Sequence, residues 1–417
     1  MRDPEIQNRY GNTFQVVFPD FPGFVQPPYS ITLTQHVGHH DVVELFYNMY
    51  STNYVKTLAT GVAVQVNWAN DNVAETFIGY VSDVKYPTTS AIQKHLKVVL
   101  MGASYPLREK VHKIWKNVTA SEAATEIAKA NNLKPVVTQS DIRLPQISFT
   151  GHSQWQKLQE LAKRVGFACQ VRGVELHFHP IDVMIDKSIT VMPVMSFLDP
   201  TVNPMNQFAS QTLDGFETVQ TDAGSFNGND RATKVVGGVD PITGKMYKTT
   251  SSPKTVGKNL RQKTKDPLFF DIDTSVVVTD GLTAQSLSNA KANLSRLSVP
   301  GYGFGQGDPR IAPWRTVEIR GTGESSDGYW VVTKAVHTMN ADGKYTMEFN
   351  CATDGSGANL TSAVRPSNAG SVPTVDLNDA ITTGANLVTR YKLSDTQPMI
   401  SQSSTGYKIL PRRWVAA

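Results

Sequence analysis

Residues 62–68 read Val-Ala-Val-Gln-Val-Asn-Trp, which puts Val62, Val64 and Val66 on one face of an extended chain and Ala63, Gln65 and Asn67 on the other. A period of two marks a half-buried antiparallel strand, because successive side chains point to opposite sides of a sheet. TFQVVF (13–18), YSITLTQHV (29–37), TFIGYVSDVKY (76–86) and HLKVVLMGA (95–103) carry similar β-branched and aromatic content. The Pro/Gly-rich PDFPGFVQPP separates the first two. A run of such strands predicts a small barrel or sandwich over residues 1–105.

The pattern changes after residue 105. Thr119-Ala-Ser-Glu122 is a capping box, in which the threonine hydroxyl and the glutamate carboxylate satisfy each other's backbone N–H groups. Ala123, Ile127 and Ala130 then form a helical stripe that Asn131, Asn132 and Pro135 close. Ser153-Gln-Trp-Gln156 opens a second helix with Leu158, Leu161, Ala162 and Val165 on one face and Gly166 as its stop. FACQV, an Arg172-Gly173 turn and VELHF predict a hairpin. Residues 106–180 are therefore expected to be a compact α+β unit.

Residues 181–365 return to strands: SITVMPVMSFL, DGFETVQT, ATKVVGGV, TSVVVTD, RTVEIRG, YWVVTKAVHTM and KYTMEFNC. One helix is expected from Ala284 to Leu297, with Leu287, Ala290, Lys291, Leu294 and Leu297 on its face, and the polar stretch 240–270 reads as a loop. Residues 366–417, rich in Ser, Thr, Gly and Asn, read as an extended C-terminal segment whose KILPRRWVAA end either docks on a neighbour or is a frayed tail. The fold class that follows is α+β, mainly β: two barrel-like regions flanking a small unit with two capped helices.

Composition narrows the function. With 40 basic and 36 acidic residues, the net charge of +4 does not mark a nucleic-acid binder. Cys169 and Cys351 sit in strand-like runs and read as buried free thiols. The polar start, MRDPEIQNRYGN, has no apolar region of a signal peptide, and no stretch approaches the length of a membrane span.

Three stretches resemble a known family. VVLMGASYPLREKVHKIWKNVTASEAATEIAKANNLKPVV is similar to the segment after the first barrel of phage tail hub proteins, with a strand, a short basic linker and a helix begun by T-A-x-E. GHSQWQKLQELAKRVGFACQVRGVELHFHP has the polar cap, W-x-x-L-x-x-L-A and closing glycine of the second signature. QGDPRIAPWRTVEIRGTGESSDGYWVVTKAVHTM resembles the G-D-P segment and the strand pair ending in V-x-H. The family includes late control protein D, the baseplate hub of contractile phages and, by similarity, the N-terminal part of VgrG spikes.

The resemblance covers most of residues 10–365 and implies a non-enzymatic structural protein. Its tube-like β-barrels would stand side by side, and three chains would form a ring approximating a hexamer. The implied partners are a homotrimer, the tail tube or distal tail protein, a tip or spike protein, and the tape-measure protein. Genome DNA would pass through the lumen without specific binding. The implied location is the virion tail, assembled in the host cytoplasm. The alternatives are a VgrG-like delivery spike, a tail-associated cell-wall hydrolase and a carbohydrate-binding adhesin; a needle would need regular β repeats that 366–417 lack.

No catalytic, cofactor or metal residue is assigned, although several groups merit weighing. His177 and His179 share a strand face beside Glu175 and Asp182, but zinc needs three or four ligands. His39, His40, Asp41 and Glu44 form a polar knot that reads as a loop or capping cluster. His337 lies in an apolar strand and reads as a satisfied core or interface histidine. Gly301-Tyr-Gly-Phe-Gly-Gln-Gly307 follows a helix and lacks the Lys-Ser/Thr of a phosphate cradle, so a turning loop with exposed Tyr302 and Phe304 is expected. Asp271, Asp273, Glu217 and Asp222 are carboxylates without a recognisable paired arrangement.

Overall fold

The computed structural model describes residues 13–21, 26–48, 58–69, 74–86, 95–185, 194–196, 211–218, 233–239, 243–251, 270–273, 281–294, 297, 299–322, 327–353, 391–393, 400–403, 406–409 and 414–416. The chain opens with strands β1 (Thr13–Val17), β2 (Ser30–His36), β3 (Val42–Tyr47), β4 (Ala63–Ala69), β5 (Ala74–Lys85) and β6 (Leu96–Gly102). They pair in the order β1-β4-β5-β6-β3-β2, antiparallel throughout. Ile31, Leu33, Val43, Leu45, Val64, Val66, Val98 and Leu100 fill their concave side.

The next region has β7 (Lys113–Thr119), helix α1 (Ala120–Ala130), β8 (Lys134–Val137), β9 (Arg143–Phe149), helix α2 (Gln154–Val165), β10 (Phe167–Arg172), β11 (Glu175–Pro180) and the short α3 (Ile181–Met184). Both capping boxes form: Thr119 Oγ1 accepts from Glu122 N while Thr119 N donates to Glu122, and Ser153 and Gln156 repeat the exchange. Asn132 (φ +58°) and Gly166 (φ +73°) take the left-handed conformation just beyond their helices.

The remainder comprises β12 (Val194–Ser196), β13 (Gln211–Thr218), β14 (Thr233–Val239), β15 (Met246–Ser251), β16 (Phe270–Asp273), helix α4 (Gly281–Leu294), β17 (Val299–Gln306), β18 (Thr316–Arg320), β19 (Gly328–Asn340) and β20 (Tyr345–Thr353). Strands β19, β18, β12, β13, β17 and β20 pair in sequence, and β20 pairs back with β19, so this set closes on itself. β19 also pairs with β2 through Lys334–Asn340, making both sets one continuous twelve-stranded sheet.

Three expectations change. Met246–Ser251, inside the stretch read as a polar loop, is a strand paired with β14; its side chains alternate exposed and half-buried, so its sequence carries no apolar face. The glycine run 301–307 is mostly strand, not a turning loop. Its glycines face inward because aromatic rings occupy the space of a Cβ: at Gly303 that atom would stand 2.5 Å from Phe349, and at Gly301 2.9 Å from Trp330. Tyr302 and Phe304 alternate onto the outer face, where the Phe304 ring covers Gly215. Strand β4 is buried on both faces, with Ala63 packed against the α+β region and Gln65 donating to Asn67 at 2.9 Å.

The helix forms but spans Gly281–Leu294, with Ala284, Leu287 and Ala290 buried. Cys169 and Cys351 are buried free thiols, as expected. TSVVVTD (274–280), Asp222 and most of 366–417 lie outside the described residues.

Gly303→Ala is expected to destabilise the chain by about 1–3 kcal/mol through overpacking against Phe349. Gly237→Ala, whose new atom would meet only Tyr247 O at an ordinary 3.7 Å, is expected to stay within about 0.5 kcal/mol. Chemical denaturation of the two variants checks the difference.

Candidate functional site: the cleft where three regions meet

The turn after β2 reaches the first sheet, the α+β region and β19. Gly38 has φ +74°, a left-handed conformation that a side chain would strain. Val37 N donates to Thr333 O of β19 at 2.9 Å, and Gly102 N donates to Asp41 O at 2.9 Å. His40 Nδ1 lies 2.7 Å from Ser104 Oγ, and its ring packs on Trp155 of α2 with centroids 4.7 Å apart. The polar knot expected at 39–41 is thus a structural bracket. Glu44 points elsewhere and pairs with Lys97 at 2.7 Å.

Burial sets the acid–base behaviour of this bracket. Desolvation, with the charges of Arg108 and His39, pushes His40 down to about 4. Desolvation pushes the Asp41 carboxyl up to about 7, against the opposing pull of a 3.1 Å hydrogen bond from Gln35 and the charge of Arg172. Asp41 is half-buried as a residue, but its Oδ1 lies out of water.

Beside the turn opens a cleft of about 630 Å³. Asp41 and Gln35 come from the first sheet, Gln170, Arg172 and Glu175 from the β10–β11 hairpin, and Arg315 from the segment before β18. Arg315 Nη1 meets Glu75 Oε1 at 2.6 Å, tying the closed strand set to β5 across the cleft. Glu175 is held by Lys134 at 2.8 Å and His177 at 3.3 Å.

His177 and His179 share a face as expected, with ring centroids 5.6 Å apart. His179 Nδ1 lies 2.7 Å from Thr138 Oγ1, and burial together with Arg172 lowers its pKa. Among the described residues no group of three or more His, Cys, Asp or Glu could hold a metal. Gln170, Arg172, Arg315 and Glu75 were not singled out from the sequence; a glutamine inside the apolar run FACQV was the available signal.

The G-D-P and V-x-H motifs meet in one buried network. Asp308 accepts from Arg310 Nη2 at 2.6 Å and from the Arg310 backbone N–H at 2.9 Å. Ile311 O accepts from His337 Nε2 at 2.8 Å, which leaves His337 Nδ1 to accept from the Tyr345 hydroxyl at 2.9 Å. His337 is fully buried, and desolvation pushes it down to about 4. It is a satisfied core histidine, as read.

The C-terminal end docks within the chain. Trp414 N donates to the Tyr80 hydroxyl at 3.0 Å, and Trp414 Nε1 donates to Gly79 O at 3.0 Å. With Leu393, Trp414 completes the core that joins β5 to the α+β region.

The pH signs oppose one another. His40 is lowered, so its contribution to stability is present above the unfolded value of 6.5 and lost as pH falls toward 4. Asp41 is raised, so its contribution is present below 3.8 and lost as pH rises toward 7. Asp41→Asn is expected to steepen the gain in stability between pH 4 and 6.5 and to exceed the parent chain at pH 8; urea denaturation across pH measures both.

Trp414→Ala is expected to weaken the C-terminal anchor by about 3–5 kcal/mol. Trp414→Phe should lose about 1 kcal/mol, the share of one hydrogen bond. Hydrogen exchange at residues 78–81 reads the two effects.

No protein-family model matches the chain, and no curated protein matches it by sequence. Solved structures do. The 43 kDa tail protein of prophage MuSo2 from Shewanella oneidensis aligns with a TM-score of 0.57 at 12% identity, over 83% of this chain and 99% of that one. The tail protein from Neisseria meningitidis MC58 aligns with a TM-score of 0.55 at 13% identity, over 84% and 98%. The E. coli c3393 protein, a type VI secretion component described as similar to T4 bacteriophage tail proteins gp27 and gp5, aligns with a TM-score of 0.50 at 9% identity, over 94% and 86%. The chain shares their fold.

Proposed function

We propose that this chain, built on the fold of phage tail proteins, is a non-enzymatic structural hub of a phage tail or baseplate. It joins the six-fold tail tube to the trimeric tip or spike and forms part of the channel through which DNA leaves. The observation that carries this reading is the pairing of β2 with β19, which sets a second curled sheet beside a closed one in a single chain. Three chains so built present six similar units, which matches a three-fold tip to a six-fold tube. A ring of this kind needs head-to-tail interfaces.

In this reading the partners are two further copies, the tail tube or distal tail protein, a tip or spike protein, and the tape-measure protein. The protein resides in the virion tail after assembly in the host cytoplasm. The mechanism is geometric: adapting symmetry, sealing the tube and letting the genome pass. The likeness to c3393 supports a second reading, a VgrG-like spike of a delivery system.

Native mass spectrometry with negative-stain imaging tests the proposal. A three-chain ring with a central hole is the expected result. A monomer at high concentration, both alone and with the tail-tube protein, contradicts it. Clearing of host cell wall in a zymogram would replace it with the hydrolase alternative.

A further inference from the structure

The junction cleft has the features of a binding site. Part of its wall is apolar: Phe77 and Ile78 of β5, Ala103, and Val171 and Val174 of the hairpin. At about 630 Å³ it falls within the roughly 300–1,000 Å³ typical of small-ligand sites. Two residues of its lining, Asp41 and Gln170, each carry a buried oxygen (Oδ1 and Oε1) that meets no hydrogen-bond donor among the described residues, and Gln170 is only 3% exposed. The amide oxygen accepts, and so does the carboxylate oxygen once Asp41 is ionised, so a donor completes them, and an unmet buried acceptor is costly.

The charges fix the kind of donor. Glu75 is matched by Arg315, and Glu175 by Lys134 and His177. Asp41 forms no ion pair among the described residues; Arg172 acts on it only through space, while its Nη2 donates to Met184 O at 3.1 Å.

We propose that the cleft binds a primary ammonium or guanidinium group on an aliphatic stem, as in a lysine or arginine side chain. Asp41 and Gln170 accept its N–H groups, and Phe77, Ile78 and Val171 line the stem. Neighbouring atoms cover both oxygens in this conformation. Binding therefore requires rotation about the terminal torsion of each side chain, which is soft for Asp and Gln; for Asp41 that rotation gives up the bond from Gln35.

The proposal stands apart from the hub reading, since the cleft belongs to one chain. The ligand's charge requires ionised Asp41, so affinity should rise from pH 6 to pH 8 as the carboxyl passes its value of about 7. The other charged or titratable groups near it are Arg172, Arg315, Glu75, Glu175, His177 and His40. Protonation of His40 at lower pH would act in the same direction.

The experiment is calorimetric titration of the full chain with N-acetyl-lysine methylamide and N-acetyl-arginine methylamide at constant ionic strength. Expected are one saturable site per chain, weakening of about tenfold or more in Asp41→Asn, and tightening in Gln170→Glu. The melting temperature of each variant separates lost binding from lost fold. If neither amide binds but Asp41→Asn still weakens association of folded chains, the cation comes from a neighbouring protein surface. Equal behaviour of Asp41→Asn and the parent chain in both measurements overturns the proposal. So does Gln170→Glu if it folds normally and fails to bind.

Discussion

Strand β19 carries the architecture because it is paired along both edges. One edge meets β20; the other meets β18 through its first residues and β2 through its last. Its 13 residues are about twice the usual strand length, which lets it serve two sheets in turn. A register irregularity between Val332 and Lys334 falls at the handover. Register here is strongly held, since a slip of one residue would carry Ala335, His337 and Met339 from the interior to the outer face. His337 anchors that register from within by bonding Ile311 and Tyr345, while Met339 and Tyr345 belong to the core of the first sheet.

The α+β region braces the same arrangement from the side. Ala63, Ile78 and Tyr80 of the first sheet share a core with α1 and α2, while Ala168 and Ile181 pack with Trp314, Tyr329 and Val331 near the closed strand set. The turn at residues 37–41 lies where these contacts converge. It is built from polar groups whose burial makes them sensitive to protons, in a place where apolar residues would pack without that sensitivity. Together with Gln170 of β10, Asp41 of this turn gives the cleft wall two residues whose buried oxygens no described donor meets.

Local signals were legible in the sequence and distant ones were not. Both capping boxes and the closing Asn132 and Gly166 formed as read, because a helix end is decided by residues three or four apart. The paired face of His177 and His179 followed from strand periodicity alone. The glycine run was misread because its reason lies in Trp330, Phe349 and Tyr345, rings supplied by other strands. β4 was read as half-buried because nothing in its alternation reveals that the α+β region covers Ala63. Strand β15 escaped notice because the face it turns to helix α4, Tyr247, Thr249 and Ser251, is mostly polar. Asp41 was noticed and Gln170 was not, and their shared cleft depends on tertiary packing that no local pattern encodes.

The anchoring of Trp414 on Gly79 and Tyr80 bears on how the chain is made. The partners are 334 residues apart, so the ribosome must add that stretch before the contact can form. At about 5–20 residues per second, this is a delay of roughly 15–70 s. Throughout it, Tyr80 has its cover from the α+β region but lacks the bond from Trp414. The late contact therefore acts as a timer: among the described residues of the core between β5 and the α+β region, Leu393 and Trp414 alone wait for the far end of the chain.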